Sequence, residues 1–130
     1  GEKAQKHAET YYGLVRSMTT DVAKISKATG ISEKEIQDIK NYIFLEKHDL
    51  GGEKKEYFAP DYMMAESWQR LMSGKPEKHD ITLLKHEIME KKLMQSGMSQ
   101  EMAHIETSKV YNYSKEAGEF YAKIKKYKKE

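Results

Sequence analysis

Hydrophobic residues recur every three or four positions along most of this chain, the spacing of helices with one buried face. Leu14, Met18, Val22 and Ile25 predict a first helix from about Glu2 to Lys27, ended by Thr29 and Gly30. Ser32 precedes Glu35 by three residues, the spacing of a capping box, and starts a second helix carrying Ile36, Ile39, Tyr42 and Ile43 to near Lys47. The Gly-rich stretch from His48 to Glu56 reads as a loop or a short turn of ribbon. Asp61 is placed to cap a third helix, Tyr62 to Ser73, with Met64, Ala65, Trp68 and Leu71 inward and Gly74 as its stop. Asp80 is placed to cap a fourth, Ile81 to Ser96, stopped by Gly97. Ser99 starts a fifth, which runs past Tyr113 and bends at Gly118. The expectation is an all-α fold: one compact domain of about five helices over residues 1–130, with no strand pattern and no internal repeat.

The fourth helix is apolar on two sides. Ile81, Leu84 and Ile88 form one stripe and Leu83, Leu93 and Met94 another, so most of its surface is predicted to be covered. His86 and Glu90 lie with the second stripe. Four residues apart on a helix, they project only about 40° from one another and face the same partner. An imidazole and a carboxylate among apolar neighbours are costly unless paired, bound or used. His104, on the following helix, returns beside them if the two helices pack antiparallel about Gly97.

This cluster has three readings. As a metal site, His86, Glu90 and His104 are the ligands of a divalent ion (zinc, manganese or magnesium), with Asp80 or Glu87 completing the shell or acting as general base. Glu90 stands where the second histidine of a His-Glu-x-x-His protease would be, so that pattern is not met. Without metal, Glu90 or Asp80 orients His86 as a general base. The plainest reading is a buried hydrogen-bonded network that fixes helix packing.

Composition narrows the field. The chain has no cysteine, which removes disulfides, thiolate–zinc sites and cysteine nucleophiles. A net charge of +2 argues neither for nor against nucleic acid. No run approaches the roughly 18 apolar residues of a membrane span, and no stretch reads as a signal peptide. An opening Gly1 without Met suggests a domain cut from a longer protein. The basic run from Lys123 to Lys129, with Tyr127 inside it, suits phosphate contact or a solvated helix end, the second being the commoner use.

Other candidates carry plainer alternatives. Val22 to Ile39 has helix-turn-helix spacing around Gly30. Its second helix opens with Glu33 and Glu35, which phosphates repel, so a core-packing corner is the stronger reading. Trp68 reads as core. Arg70 is a candidate for binding substrate phosphate or carboxylate, with Glu66 its ordinary (i, i+4) partner. His48 is a loop histidine, a proton shuttle only if near the site. Tyr111 shares the face of His104 and either binds substrate or packs.

Several segments taken together carry a resemblance: Ile31 to Phe44 (ISEKEIQDIKNYIF), Phe58 to Tyr62 (FAPDY), Ala65 to Leu71 (AESWQRL), Asp80 to Glu87 (DITLLKHE), and Ala103-His104 through Tyr111-Asn112. The chain from Val22 to Tyr113 resembles a helical domain at the C-termini of phage minor head proteins and bacterial polymorphic toxins. It departs at Ala59, where that pattern more often has Asp. The resemblance implies a delivered effector or a phage particle component. Its activity would be hydrolysis of nucleic acid or another cellular polymer, and its partner an immunity protein or a phage component. The acid–histidine series falls on Asp80, His86, Glu87, Glu90 and His104. The alternative is a non-catalytic interaction module working through a Tyr- and Met-rich surface.

Overall fold

The computed structural model describes residues 1–129, with side chains described through Lys125, so Tyr127 and the lysines around it lie outside the described side chains. Seven α-helices and one π-helical turn are present among the described residues, and no strand. The all-α expectation holds; the count is seven rather than about five. No helix among them is long and apolar enough to cross a membrane. The helices gather into two compact units, Gly1–Lys75 and the chain from Pro76 onward.

The first unit contains α1 (Glu2–Ser17), α2 (Asp21–Thr29), α3 (Glu33–Lys40), the π-helical turn Asn41–Leu45 and α4 (Tyr62–Ser73). The first expected helix is therefore two. The break falls in Ser17-Met18-Thr19-Thr20, where hydroxyl side chains compete for backbone bonds: Ser17 Oγ donates to the Leu14 carbonyl at 2.9 Å, and Met18 is extended. The break resets the helical register. Tyr11, Tyr12 and Val15 go inward, and Leu14, expected to be buried, is 52% exposed.

A buried polar knot holds this unit together. Lys40 Nζ donates to Asp21 Oδ1 and to the Met18 carbonyl, both at 2.9 Å, and the Trp68 indole donates to Asp21 Oδ2 at 3.1 Å. The carbonyl released by the α1–α2 break is thus satisfied by a lysine from α3. Around the knot, Tyr12, Phe44 and Trp68 stack edge to face at 4.8 and 5.1 Å between centroids. α3 ends sooner than expected, and the π-helical turn brings Phe44 inward, its carbonyl accepting from Arg16 Nε at 2.8 Å. The 46–61 segment is pinned by an antiparallel bridge between His48 and Glu56 and by Arg16 lying 3.9 Å over the Tyr57 ring. α4 has the expected bounds, with Asp61 capping Met64 N at 2.8 Å and Gly74 closing it at φ 78°. The helix-turn-helix spacing is realised as α2, Gly30 and α3, with Ile25, Ile36 and Ile39 buried in the unit's own core.

The second unit contains α5 (Lys78–Gln95), α6 (Gln100–Val110) and α7 (Tyr113–Lys129). α5 packs against both α6 and α7, which explains its two apolar sides. Leu83 and Leu84 are fully buried; Met94, expected inside, is 38% exposed near the end of α5. Glu77 rather than Asp80 is the N-cap of α5. Asp80 sits three residues into the helix and accepts from Glu77 N at 2.8 Å, the reciprocal half of a capping box. Gly97, at φ 111°, makes the turn into α6, and the Gly97 and Met98 amides return to the Met94 and Leu93 carbonyls at 3.1 Å each. The fifth expected helix is also two. Rather than bending at Gly118, it breaks at Tyr111-Asn112, where Asn112 Oδ1 accepts from Lys115 N at 3.1 Å and so caps α7.

Candidate metal centre

The antiparallel pairing of α5 and α6 brings together the residues that the sequence singles out. His104 Nδ1 lies 2.9 Å from Glu90 Oε1, and His86 Nε2 lies 3.4 Å from the same oxygen. The two imidazole rings are 5.1 Å apart, edge to face. One ligand atom from each of the three residues falls within 4.8 Å of the other two, so the group can hold a metal ion. His86 and Glu90 are buried, whereas the His104 side chain is 57% exposed and opens the cluster to solvent.

Protonation at His86 is fixed from behind. Its Nδ1 is 2.9 Å from the Tyr111 carbonyl, which can only accept, so Nδ1 carries a hydrogen. In the neutral ring Nε2 then bears a lone pair, which faces a carboxylate oxygen. Two lone pairs in that position repel unless a cation lies between them, either a proton on Nε2 or a metal ion. A backbone acceptor on the far nitrogen is also the usual support of a histidine ligand. The donor set therefore fits a divalent ion on chemical grounds.

The Tyr111 carbonyl is available because α6 stops there. In a continuous helix it would accept from Lys115 N; that amide is instead taken by Asn112 Oδ1. Asn112 thus acts on the site by breaking the helix. Asparagine at a cap position was the signal in the sequence, and reading one helix through Tyr113 missed it.

Charge follows this geometry. Burial pulls the His86 pKa down, but the Glu90 carboxylate, the Tyr111 carbonyl and Glu87 together outweigh it and hold it above the ordinary value. Burial pushes Glu90 up, and its bonds to His86 and His104 overcome this and leave it lowered. Glu87, half-buried one residue from His86, is raised to about 7, first by burial and then by the charge of Glu90, with His86 opposing. It can hold or release a proton near neutrality.

The remaining candidates have other partners. Asp80 is spent on the α5 cap and is 3.4 Å from His79 Nε2. His79 went unremarked in the sequence; it is buried against Phe120 at 4.7 Å, Tyr113 at 5.9 Å and Tyr121 at 6.2 Å. Arg70 belongs to the first unit, 4.0 Å from its (i, i+4) partner Glu66 and 3.5 Å from Ser67 Oγ. His48, also in the first unit, stacks on Phe58 at 4.0 Å and bonds the Tyr42 carbonyl at 2.7 Å, a structural use of the ring. Comparison of the chain with protein-family models, with characterised proteins and with solved structures finds no match.

Proposed function

We propose that the chain is a toxin-like effector with a metal-assisted hydrolytic centre on the α5–α6 hairpin, acting on a cellular polymer. The observation that carries this reading is the pinned His86. Its Nδ1 is held by a backbone carbonyl, its Nε2 is turned toward Glu90, and His104 completes a three-donor set with one solvent-facing side. In the proposal His86, Glu90 and His104 hold a divalent ion, whose contribution is to polarise a phosphoryl or carbonyl oxygen and lower the pKa of water. Glu87 receives the proton that the attacking water loses, a task suited to a carboxylate titrating near 7. Two imidazoles favour zinc or a similar transition ion over magnesium, which prefers oxygen ligands. Nucleic acid is the first substrate to test, because the implied family role is delivery into a cell.

The test joins metal analysis to activity. Protein purified without chelator or metal-affinity resin is assayed for bound metal and for cleavage of RNA and DNA, beside His86→Ala and Glu87→Gln. The expected result is near-stoichiometric metal in wild type, lost in His86→Ala, and metal retained in Glu87→Gln with activity reduced by about 100-fold or more. Full activity in His86→Ala with the fold intact would sink the proposal.

A second reading is favoured by one observation. Met94, Met98, Met102, Ile105 and Val110, on and around the α5–α6 turn and α6, are 37–59% exposed. Adaptable methionine surfaces suit partner docking. In this reading the chain is a non-catalytic module for a phage component or an immunity-type protein. It is separated from the first by wild type that shows no metal-dependent hydrolysis and by polar substitution at Met98 and Met102, which is expected to abolish partner binding.

A further inference from the structure

Threonine in the middle of a helix usually turns its hydroxyl back to the carbonyl four residues earlier. Thr29 does so, its Oγ1 donating to the Ile25 carbonyl at 2.8 Å, and Thr82 Oγ1 has acceptors in the Glu116 carboxylate at 2.7 Å and the Lys78 carbonyl at 3.2 Å. Thr107 differs. It is fully buried, and among the described residues its hydroxyl has no hydrogen-bond partner. An orphaned buried hydroxyl destabilises the folded state, and valine, of nearly the same shape, would avoid that cost.

Its place on the helix gives the hydroxyl a use. Thr107 is three residues after His104, which bonds Glu90, and four before Tyr111, whose carbonyl holds His86. It belongs with Ala103 to the buried face of α6, and α6 packs on α5. The polar atom without a partner is therefore bracketed, within one turn on either side, by the two residues through which α6 builds the cluster. A divalent ion held by these three protein donors would leave at least one position to be filled by water or a substrate oxygen. A hydroxyl can donate to such an oxygen or accept from it.

We propose that Thr107 is a positioning residue of the His86–Glu90–His104 centre, its hydroxyl hydrogen-bonded to the oxygen ligand that fills the open position of the bound ion. This rests on the metal-centre reading above. It adds the expectation that α6 contributes a buried polar contact to the ligand as well as the exposed imidazole of His104.

The test is a cobalt(II) titration of the metal-free full chain, followed by visible absorption, with zinc competition to give the zinc affinity. Wild type, His86→Ala, Thr107→Val and Thr107→Ser are compared, with the fold of each checked by circular dichroism. The expected result is tight cobalt binding by wild type, lost in His86→Ala. Thr107→Val binds about tenfold more weakly with displaced absorption bands, the scale of a lost supporting contact. Thr107→Ser, which keeps the hydroxyl, restores both affinity and spectrum. Metal-free Thr107→Val melts at a higher temperature than wild type, because the orphaned group is gone. A purely structural threonine could not combine higher stability with weaker binding and a changed spectrum. Wild-type affinity and bands in Thr107→Val would overturn the assignment while leaving the centre standing. Failure of wild type to bind cobalt or zinc would instead remove the centre itself, and Thr107's role with it.

Discussion

Asp21, Lys40 and Trp68 form a buried polar knot in the first unit. A carboxylate, an ammonium and an indole N–H are removed from water together, and each is satisfied by the others. Such a pair adds modest net stability but is costly to halve. Asp21→Ala strands a buried ammonium and is expected to cost about 3–5 kcal/mol in chemical denaturation. The double variant Asp21→Asn, Lys40→Met is expected to cost clearly less than the sum of the single losses, because no uncompensated charge remains. Strict additivity would mean that the two charges act independently. Burial also governs two phenols in this unit. Tyr11 and Tyr12 are each raised from 10 to about 12, first by loss of water, with Asp21 adding to the effect at Tyr11. The folded state holds these protons more tightly than the unfolded chain. Stability is therefore unaffected below pH 10 and falls as pH rises from 10 through 12. Absorbance titration is expected to show two tyrosines ionising near 12, and phenylalanine at both positions to move alkaline unfolding to higher pH. Uniform ionisation of all the tyrosines near 10 would contradict this.

Two helix breaks matter most at the scale of elements, and both were hard to read. The α6–α7 break gives His86 its acceptor. Asn112→Ala removes a cap worth about 1 kcal/mol and lets the helix run on, so that Lys115 N–H captures the Tyr111 carbonyl. The expected outcome is loss of the single His86 tautomer, seen in imidazole nitrogen chemical shifts, and weaker metal binding; unchanged shifts would show that the break does not depend on Asn112. The elements bounded by glycine or a hydroxyl cap were legible in advance. α4 lies between Asp61 and Gly74 as its spacing requires, and Ser32 caps α3. Breaks without glycine or proline were harder to read: Ser17 to Thr20 reveal themselves only through competing side-chain bonds, and at Tyr111-Asn112 the signal was a single asparagine, a favoured cap residue. The pairing of His86 with Glu90 was readable from a spacing of four, and the approach of His104 from the Gly97 turn. Tyr111 was legible as a neighbour of the cluster, but its contribution through the backbone carbonyl was not, since pattern speaks of side chains. His79 was not placed, because the fourth helix was expected to start only after Asp80, whereas α5 begins at Lys78 and buries His79 against aromatic residues of α7.

Across the whole molecule, the candidate donors of the centre all come from the chain between residues 86 and 104, within the second unit. Metal that binds the native state alone must shift the unfolding equilibrium, by about 2.7 kcal/mol at a hundred times the dissociation constant. Zinc is expected to raise the thermal midpoint of metal-free wild type, magnesium to leave it nearly unchanged, and His86→Ala to abolish the zinc effect. Equal stabilisation of wild type and His86→Ala would place the ion elsewhere. The Gly97 turn gives this linkage a further meaning. His86 and Glu90 lie before it and His104 after it, so an ion held by all three ties two helices across their connecting turn. Topologically that is a staple. It holds the folded hairpin closed across its turn, stabilising the native state, where a disulfide would instead restrict the unfolded one. A chain without cysteine has no disulfide with which to do this, and a staple made of an ion can be withdrawn by a chelator and restored by supply. The hairpin's resistance to proteolysis would then track the free metal concentration around it, tightening or slackening without any covalent change.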